Sequence, residues 1–307
     1  MAMALWDSAA YSLRQLQYLV AVADLGGFRK AADACGVSQP SLSAQIARFE
    51  RALGVQIFDR NARGVRVTAP GEAVLTRVRQ VLLAAADLND AARRHGDPLS
   101  GTLRIGIIPT VCPYLLPEVA PALRASLPNL SIVWSEDKTH NLLKQMADAR
   151  LDAAVLAQEA RVSGLEAALI AEDPFVLAAS PGHPLLKGDG PAASSVLDGA
   201  TVFLLDDGHC FREQALAFCG AAGAHDAGLS ATGLSTLVQM VGGGKGVTLL
   251  PRMAVAVENR RGQLAVRPFK RPAPARTIVL AWRRGSGLGP PLTAVAGVVR
   301  EAWRALG

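Results

Sequence analysis

The hydrophobic pattern becomes organised at LRQLQYLVAVADLGG. There Leu13, Leu16, Leu19, Val20 and Ala23 recur at helical spacing, and Gly26-Gly27 stops the run. FRKAADACG predicts a short second helix closed by Gly36. In VSQPSLSAQIARFERALG, Ser38 is a natural N-cap and Pro40 suits a first turn. Leu42, Ile46, Phe49 and Leu53 form one apolar stripe that ends at Gly54. Two short β-like pieces follow, VQIFDR and GVRVT, joined by NARG. From Pro70 to His95 the pattern is helical again, with Leu75, Val78, Leu82, Ala85, Ala86 and Leu88 on one face.

After GDPLSG, residues 96–101, which reads as a linker or hinge, the period changes. TLRIGIIPT and LSIVWSED read as buried strands around the helix PYLLPEVAPALRASLPN. NLLKQMADARLDAAVLA adds a helix and a third strand. The alternation returns more weakly in FVLAAS, TVFLLDD, STLVQMVGGGKGVTLLP and TIVLAW. This order predicts an α/β fold with a mostly parallel sheet covered by helices. Two Rossmann-like α/β subdomains joined by crossover strands would leave a cleft at the carboxyl ends of strands.

Composition narrows the class. The chain has 307 residues, enough for about two domains, and 50% hydrophobic residues, enough for packed cores rather than disorder. No apolar stretch is long enough for a membrane span and no signal-like start is present, so a cytoplasmic protein without membrane contact is expected. The net charge of +6 is unevenly placed. Residues 1–95 hold twelve Lys and Arg against eight Asp and Glu, an excess that suits a polyanion partner as well as a solvated surface.

The short helix, tight turn and longer helix form a helix-turn-helix, and the two β-like pieces form a wing behind it. The start of the second helix is small and polar, with Ser38, Gln39, Pro40, Ser41, Ser43 and Gln45, and Arg48 follows. These groups could approach base edges in a major groove of double-stranded DNA. Arg60, Arg63 and Arg66 on the wing would meet backbone phosphate, which provides register rather than sequence choice. The stripe of the 70–95 helix could be buried against a second copy, giving a homodimer with two DNA-binding heads, or against the protein's own body.

Four cysteines in a reducing compartment are not a disulfide framework. Two of them, Cys210 and Cys219, bound the segment CFREQALAFC, with His209 directly before it. Read as a helix, nine positions separate their Cα atoms by about 13–14 Å. A disulfide needs about 4.4–6.8 Å, so bonding and helix are mutually exclusive. Such a segment can be a switch, or the two residues can be ordinary core cysteines. The helix start favours a thiolate at Cys210, whereas Asp206 and Asp207 oppose it. His209, Cys210 and Cys219 have unfamiliar spacing for a metal, and no metal or cofactor is expected. GGGKG at Gly242–Gly246 lacks the spacing of a phosphate loop and reads as a turn before a strand.

AADACGVSQPSLSAQIARFERALGVQIFDR, followed by TAPGEAVL, resembles the winged helix-turn-helix of LysR-type transcriptional regulators. That family has a DNA-binding domain, here 1–69, a linker helix, here 70–95, and a regulatory domain similar to periplasmic binding proteins, here 102–307. The resemblance implies one regulatory subdomain of 102–172 with 276–307 and another of 173–275. GIIPTVCPYLLPEVAP, EDKTHNLL, LLDDGHCFREQALAFC and ARTIVLAWRRGS resemble the peroxide-sensing members of the family. That implies Cys210 as peroxidatic thiol and Cys219 as resolving thiol. Thr110, Thr139 and His209 would hold hydrogen peroxide, and Arg276 would stabilise the thiolate. It also implies a thioredoxin- or glutaredoxin-type reductant, RNA polymerase as partner and a homotetramer. Cys112 departs from the pattern and could supply another thiol or merely pack; Cys35 reads as core. Two other readings stay open: a regulator that takes a small organic effector in the cleft, and a thiol peroxidase enzyme, for which a basic winged head has no use.

Overall fold

The computed structural model describes residues 12–61, 64–94, 97–158, 164–188, 190–244 and 246–306. They form two compact units, one holding nearly all of the first four helices together with residues 147–150, and the other holding the rest.

In the first unit, α1 (Leu13–Leu25), α2 (Phe28–Ala34) and α3 (Gln39–Leu53) surround a core of Leu19, Val22, Leu42, Ile46 and Phe49. Each boundary has a local cause. Ser12 and Gln15 form a reciprocal capping box on α1, Ser38 Oγ accepts from the Ser41 amide, and Gly26 and Gly54 end α1 and α3 in the left-handed region. Leu53 does not complete the stripe; it is exposed at the last turn, where the helix has already left the core.

The wing is the hairpin β1 (Phe58–Asn61) and β2 (Gly64–Val67), with Asp59 opposite Arg66. Glu50 fixes its entrance by accepting from the amides of Ile57 and Phe58. Thr68 then caps α4 (Ala69–Arg94), and Gly71 sits so close to the Ile57 carbonyl that no Cβ would fit. The apolar face of α4 is divided. Leu75 and Val78 are buried in this unit's own core, whereas Val81 and Leu88 are exposed.

The second unit has β3 (Gly101–Ile107), α5 (Cys112–Ser126), β4 (Leu130–Glu136), α6 (Thr139–Ala147) and β5 (Ala153–Ala157). β6 (Leu165–Ala179), β7 (Thr201–Leu205), α7 (Cys210–Ala221), β8 (His225–Ala231) and α8 (Leu234–Gly242) follow. The chain then adds β9 (Val247–Pro251), α9 (Arg252–Glu258), β10 (Ala265–Pro268), β11 (Ala275–Arg283) and α10 (Gly289–Leu306). The strands run β4-β3-β5-β11-β6-β9-β7-β8, with β10 also on β6.

The sheet is mixed rather than mostly parallel. Its two ends are parallel, β4-β3-β5 and β9-β7-β8, but every pair involving β6 or β11 is antiparallel. The reason is that β6 and β11 carry the chain out of one α/β lobe and back again, in opposite directions. Two hydrophobic cores result. Ile105, Ile107, Leu142, Val155 and Leu280 belong to the first, and Leu177, Leu204, Phe211, Leu237 and Leu249 to the second. β6 contributes Ile170 to the first core and Phe175 through Ala179 to the second.

Candidate functional site

α7 begins at Cys210, directly after the turn 206–209, and its first two residues look in different directions. Cys210 is half-buried and packs against the first core, while Phe211 is fully buried in the second. Nine residues later Cys219 is also buried in the second core. All four cysteines are free thiols. The helix is continuous between the two, so the rise of about 1.5 Å per residue keeps their Cα atoms far beyond disulfide reach. Cys219 is inert as it stands: burial pushes its thiol up to about 12.

The turn before Cys210 is pinned from the other lobe. Lys138 Nζ lies 3.1 Å from both carboxylate oxygens of Asp206 and donates to the Asp207 carbonyl at 2.8 Å. Gly208, in the left-handed region with φ of 90°, passes close to the Lys138 and His140 side chains. His209 is buried, and its Nε2 lies 3.1 Å from Asp206 Oδ1 without hydrogen-bond geometry. Its pKa is lowered, first by burial and then by the charge of Lys138, with Asp206 and the Thr232 backbone opposing. His209 is therefore neutral at neutral pH.

Arg276 is the largest fully buried side chain of the described residues. Its Nη1 donates to Thr110 Oγ1 at 2.6 Å and its Nη2 to the Thr110 carbonyl at 2.9 Å. Its guanidinium carbon lies 5.7 Å from the ring centroid of Phe211, the neighbour of Cys210. Because Thr110 Oγ1 accepts from a cation, its own proton is free to be donated, and more strongly. Thr139 opens α6 beside Lys138; its Oγ1 is buried and makes no hydrogen bond to the described residues. A buried hydroxyl without a partner costs free energy, and such groups mark places where a small polar molecule can bind.

Arg276, holding Thr110, thus reaches the start of α7 at Phe211, His209 immediately precedes that helix, and Thr139 is tied to the same turn only through its neighbour Lys138. Cys219 stands apart at the helix's other end. Three residues of the site carry no role in the sequence reading, although Lys138 lies within EDKTHNLL. Asp173 is buried and accepts from Arg276 Nε at 3.0 Å. Lys138 and Met253 are the others; the Met253 sulfur lies 3.7 Å from Arg276 Nη2. Only a lone Lys beside Thr139 and an Asp-Pro inside an apolar run hinted at the first two. Cys112 is buried, and its thiol is pushed up to about 12 by burial and by its hydrogen bond to Glu136. It packs and does not compete as a nucleophile.

In the first unit Ser38, Gln39, Pro40, Ser41 and Arg48 are exposed along the start and flank of α3, and Ser43 is half-buried. Gln45 is partly committed elsewhere, its Oε1 accepting from Gln15 Nε2 at 2.7 Å. Arg66 is exposed on β2. The Arg60 side chain and all of Arg63 lie outside the described residues, as does Lys245 of the glycine-rich turn.

Residues 13–72 match the bacterial regulatory helix-turn-helix of the lysR family, and residues 96–304 match the LysR substrate binding domain. The chain belongs to the LysR family. A relative of this LysR-family chain in Dickeya chrysanthemi, named hydrogen peroxide-inducible genes activator, is 41% identical over 291 residues, covering 94% of this chain and 95% of the relative. A full-length cysteine-to-aspartate variant of OxyR from Pseudomonas aeruginosa superposes with a TM-score of 0.79 at 31% identity, covering 94% and 95% of the two chains. A cysteine-to-serine variant of Corynebacterium glutamicum OxyR, H2O2-bound, gives 0.67 at 30% identity, covering 97% and 94%. No helix among the described residues of the LysR-family chain is long and apolar enough to cross a membrane.

Proposed function

We propose that the chain is a peroxide-sensing transcriptional regulator of antioxidant genes, switched by a reversible disulfide between Cys210 and Cys219. The observation that carries this reading is the placement of the two thiols at opposite ends of one helix, each against a different core. The domain roles follow the family: a DNA-binding head over 1–69, a dimerising helix over 70–95, a hinge over 96–101, and regulatory subdomains of 102–172 with 276–307 and of 173–275.

Hydrogen peroxide is held by Thr110, Thr139 and His209, with the Thr139 hydroxyl supplying an otherwise unused partner. The Cys210 thiolate attacks one peroxide oxygen. An S–O bond forms, the O–O bond breaks, and hydroxide leaves, taking a proton to become water. Arg276 stabilises the thiolate and the departing oxygen through its positive charge and through Thr110. The resulting sulfenic acid then meets Cys219, whose thiol becomes available only when α7 opens. The S–S bond forms as water leaves. A dithiol reductant of the thioredoxin or glutaredoxin type restores both thiols. Each oxidation is one event per signal, so the chain works as a regulator rather than as a turnover enzyme.

Refolding of α7 alters the regulatory surface, and through a homodimer or homotetramer it changes how the heads engage double-stranded DNA and recruit RNA polymerase. The partners and the chemistry belong to the cytoplasm. Peptide mass spectrometry after mild peroxide treatment, with footprinting of both redox forms, tests the reading. A Cys210–Cys219 linkage and a changed footprint are expected; an unlinked pair with an unchanged footprint overturns it.

A further inference from the structure

Arg276 and Asp173 face each other as directly paired residues of β11 and β6. Both are only 1% exposed. The pair sits where β6 leaves the first core, two residues before Phe175 enters the second. Asp173 Oδ2 receives Arg276 Nε at 3.0 Å and lies 2.9 Å from Nη2, so one oxygen takes the side of the guanidinium fork. Its other oxygen accepts the Met253 amide at 3.2 Å, which fixes the carboxylate in turn.

This leaves Nη1 as the end of the fork turned away from Asp173, and Nη1 is the nitrogen that meets the Thr110 hydroxyl. A guanidinium is planar, so fixing one edge fixes where the other edge points. The carboxylate also removes most of the net charge of a cation that would otherwise be buried unpaired.

We propose that Asp173 is a positioning residue for the peroxide reaction: it aims Arg276 at Thr110 and the start of α7, and it limits how strongly Arg276 favours the Cys210 thiolate. The inference rests on Cys210 being the reacting thiol. The second effect matters because thiolate nucleophilicity falls as the thiol becomes more acidic. An Arg276 without its counter-charge would yield more thiolate but a less reactive one.

The test uses the full-length reduced chain and the variants Asp173→Asn and Asp173→Glu. Alkylation of Cys210 by iodoacetamide, followed by peptide mass spectrometry across pH, gives a midpoint that does not depend on peroxide. In Asp173→Asn the other titratable groups of the site, Lys138, Asp206, Asp207 and the neutral His209, are unchanged. Its midpoint should drop by about one unit, so that alkylation well below both midpoints is about threefold faster, with about tenfold more thiolate at roughly a third of the nucleophilicity. The rate constant with peroxide above both midpoints should fall, at least the roughly threefold that nucleophilicity alone predicts. Asp173→Glu keeps the charge and should keep the midpoint, while losing rate because the longer arm shifts the fork. A folded Asp173→Asn variant with the wild-type midpoint overturns the proposal. If that variant does not fold, Asp173→Glu decides: a reduced peroxide rate constant supports the role, and the wild-type rate constant overturns it. A wild-type chain inert to peroxide would instead sink the sensing reading, and the alkylation midpoints would still decide the role of Asp173.

Discussion

Gly220 lies in the last turn of α7, exposed, with helical backbone and nothing within 4 Å of the place a Cβ would occupy. Gly220→Ala should therefore stabilise the helix without touching either thiol. The gain for an exposed Gly→Ala change at a compatible helical position is about 0.5–1 kcal/mol. If oxidation requires α7 to unwind, this gain belongs to the dithiol state alone. At 30 mV for about 1.4 kcal/mol in a two-electron couple, the reduction potential should become less negative by about 10–20 mV. The ratio of disulfide to dithiol in a fixed glutathione buffer should correspondingly fall about two- to fivefold. Equilibration in glutathione or dithiothreitol buffers, acid quench and differential alkylation would measure it. A melting curve of the reduced form gives the stabilisation independently. A variant whose reduced form is stabilised while its potential stays unchanged, or becomes more negative, would refute the claim that the helix and the bond exclude each other.

Three other outcomes follow from the same geometry. His209 has a lowered folded-state pKa, so the unfolded chain binds more protons just below its ordinary value of 6.5. Stability should rise with pH through that window and be lost on acidification through it, levelling off below, and His209→Gln should flatten the dependence. The fluorescence of Trp134, Trp282 and Trp303, all in the second unit, reports this melting. Cys219 works in the opposite direction: its folded-state value is about 12 against 9.0 for a free thiol, so its contribution is complete below 9 and is lost as pH rises toward 12. Three units correspond to about 4 kcal/mol at most, and Cys219→Ala should retain more of its own stability than wild type across that alkaline range. Arg48→Ala, on the exposed flank of α3, should weaken DNA binding about equally across sequences. It should reduce the slope of log K against log salt by about 1, and an unchanged slope would remove Arg48 from the interface.

The first unit was readable because its signals are local. Ser38, Pro40, Gly26 and Gly54 act within a few residues of where they stand, and the buried stripe through Leu42, Ile46 and Phe49 follows the period of the helix that carries it. The start of α7 was readable for a similar reason, since nine residues of helix fix a distance. β6 was not: Glu172-Asp173-Pro174 looks like a break in an apolar run. Yet β6 continues through it for 15 residues, because Asp173 finds Arg276 on the paired strand. That partner lies 103 positions away, so no window of sequence could have joined them. β8 was missed because HDAGLSA, at the edge of the sheet, buries only Ala231. The pin between Lys138 and Asp206 spans 68 positions and needs both lobes in place before it exists.

β6 also limits how the regulatory half can move. A clamp with two independent jaws closes by flexing the strands that join them. Here the joining strand is knitted to β11 from Leu165 to Pro174, with one bulge at Ile170, and then to β9 from Phe175 to Ala179 and to β10 from Val176 to Ala179. Flexing it would unzip rungs on one side or the other. Pairing on both halves of the strand makes bending it costly, so a message between the lobes is cheaper to send by rewriting a short peripheral segment such as α7.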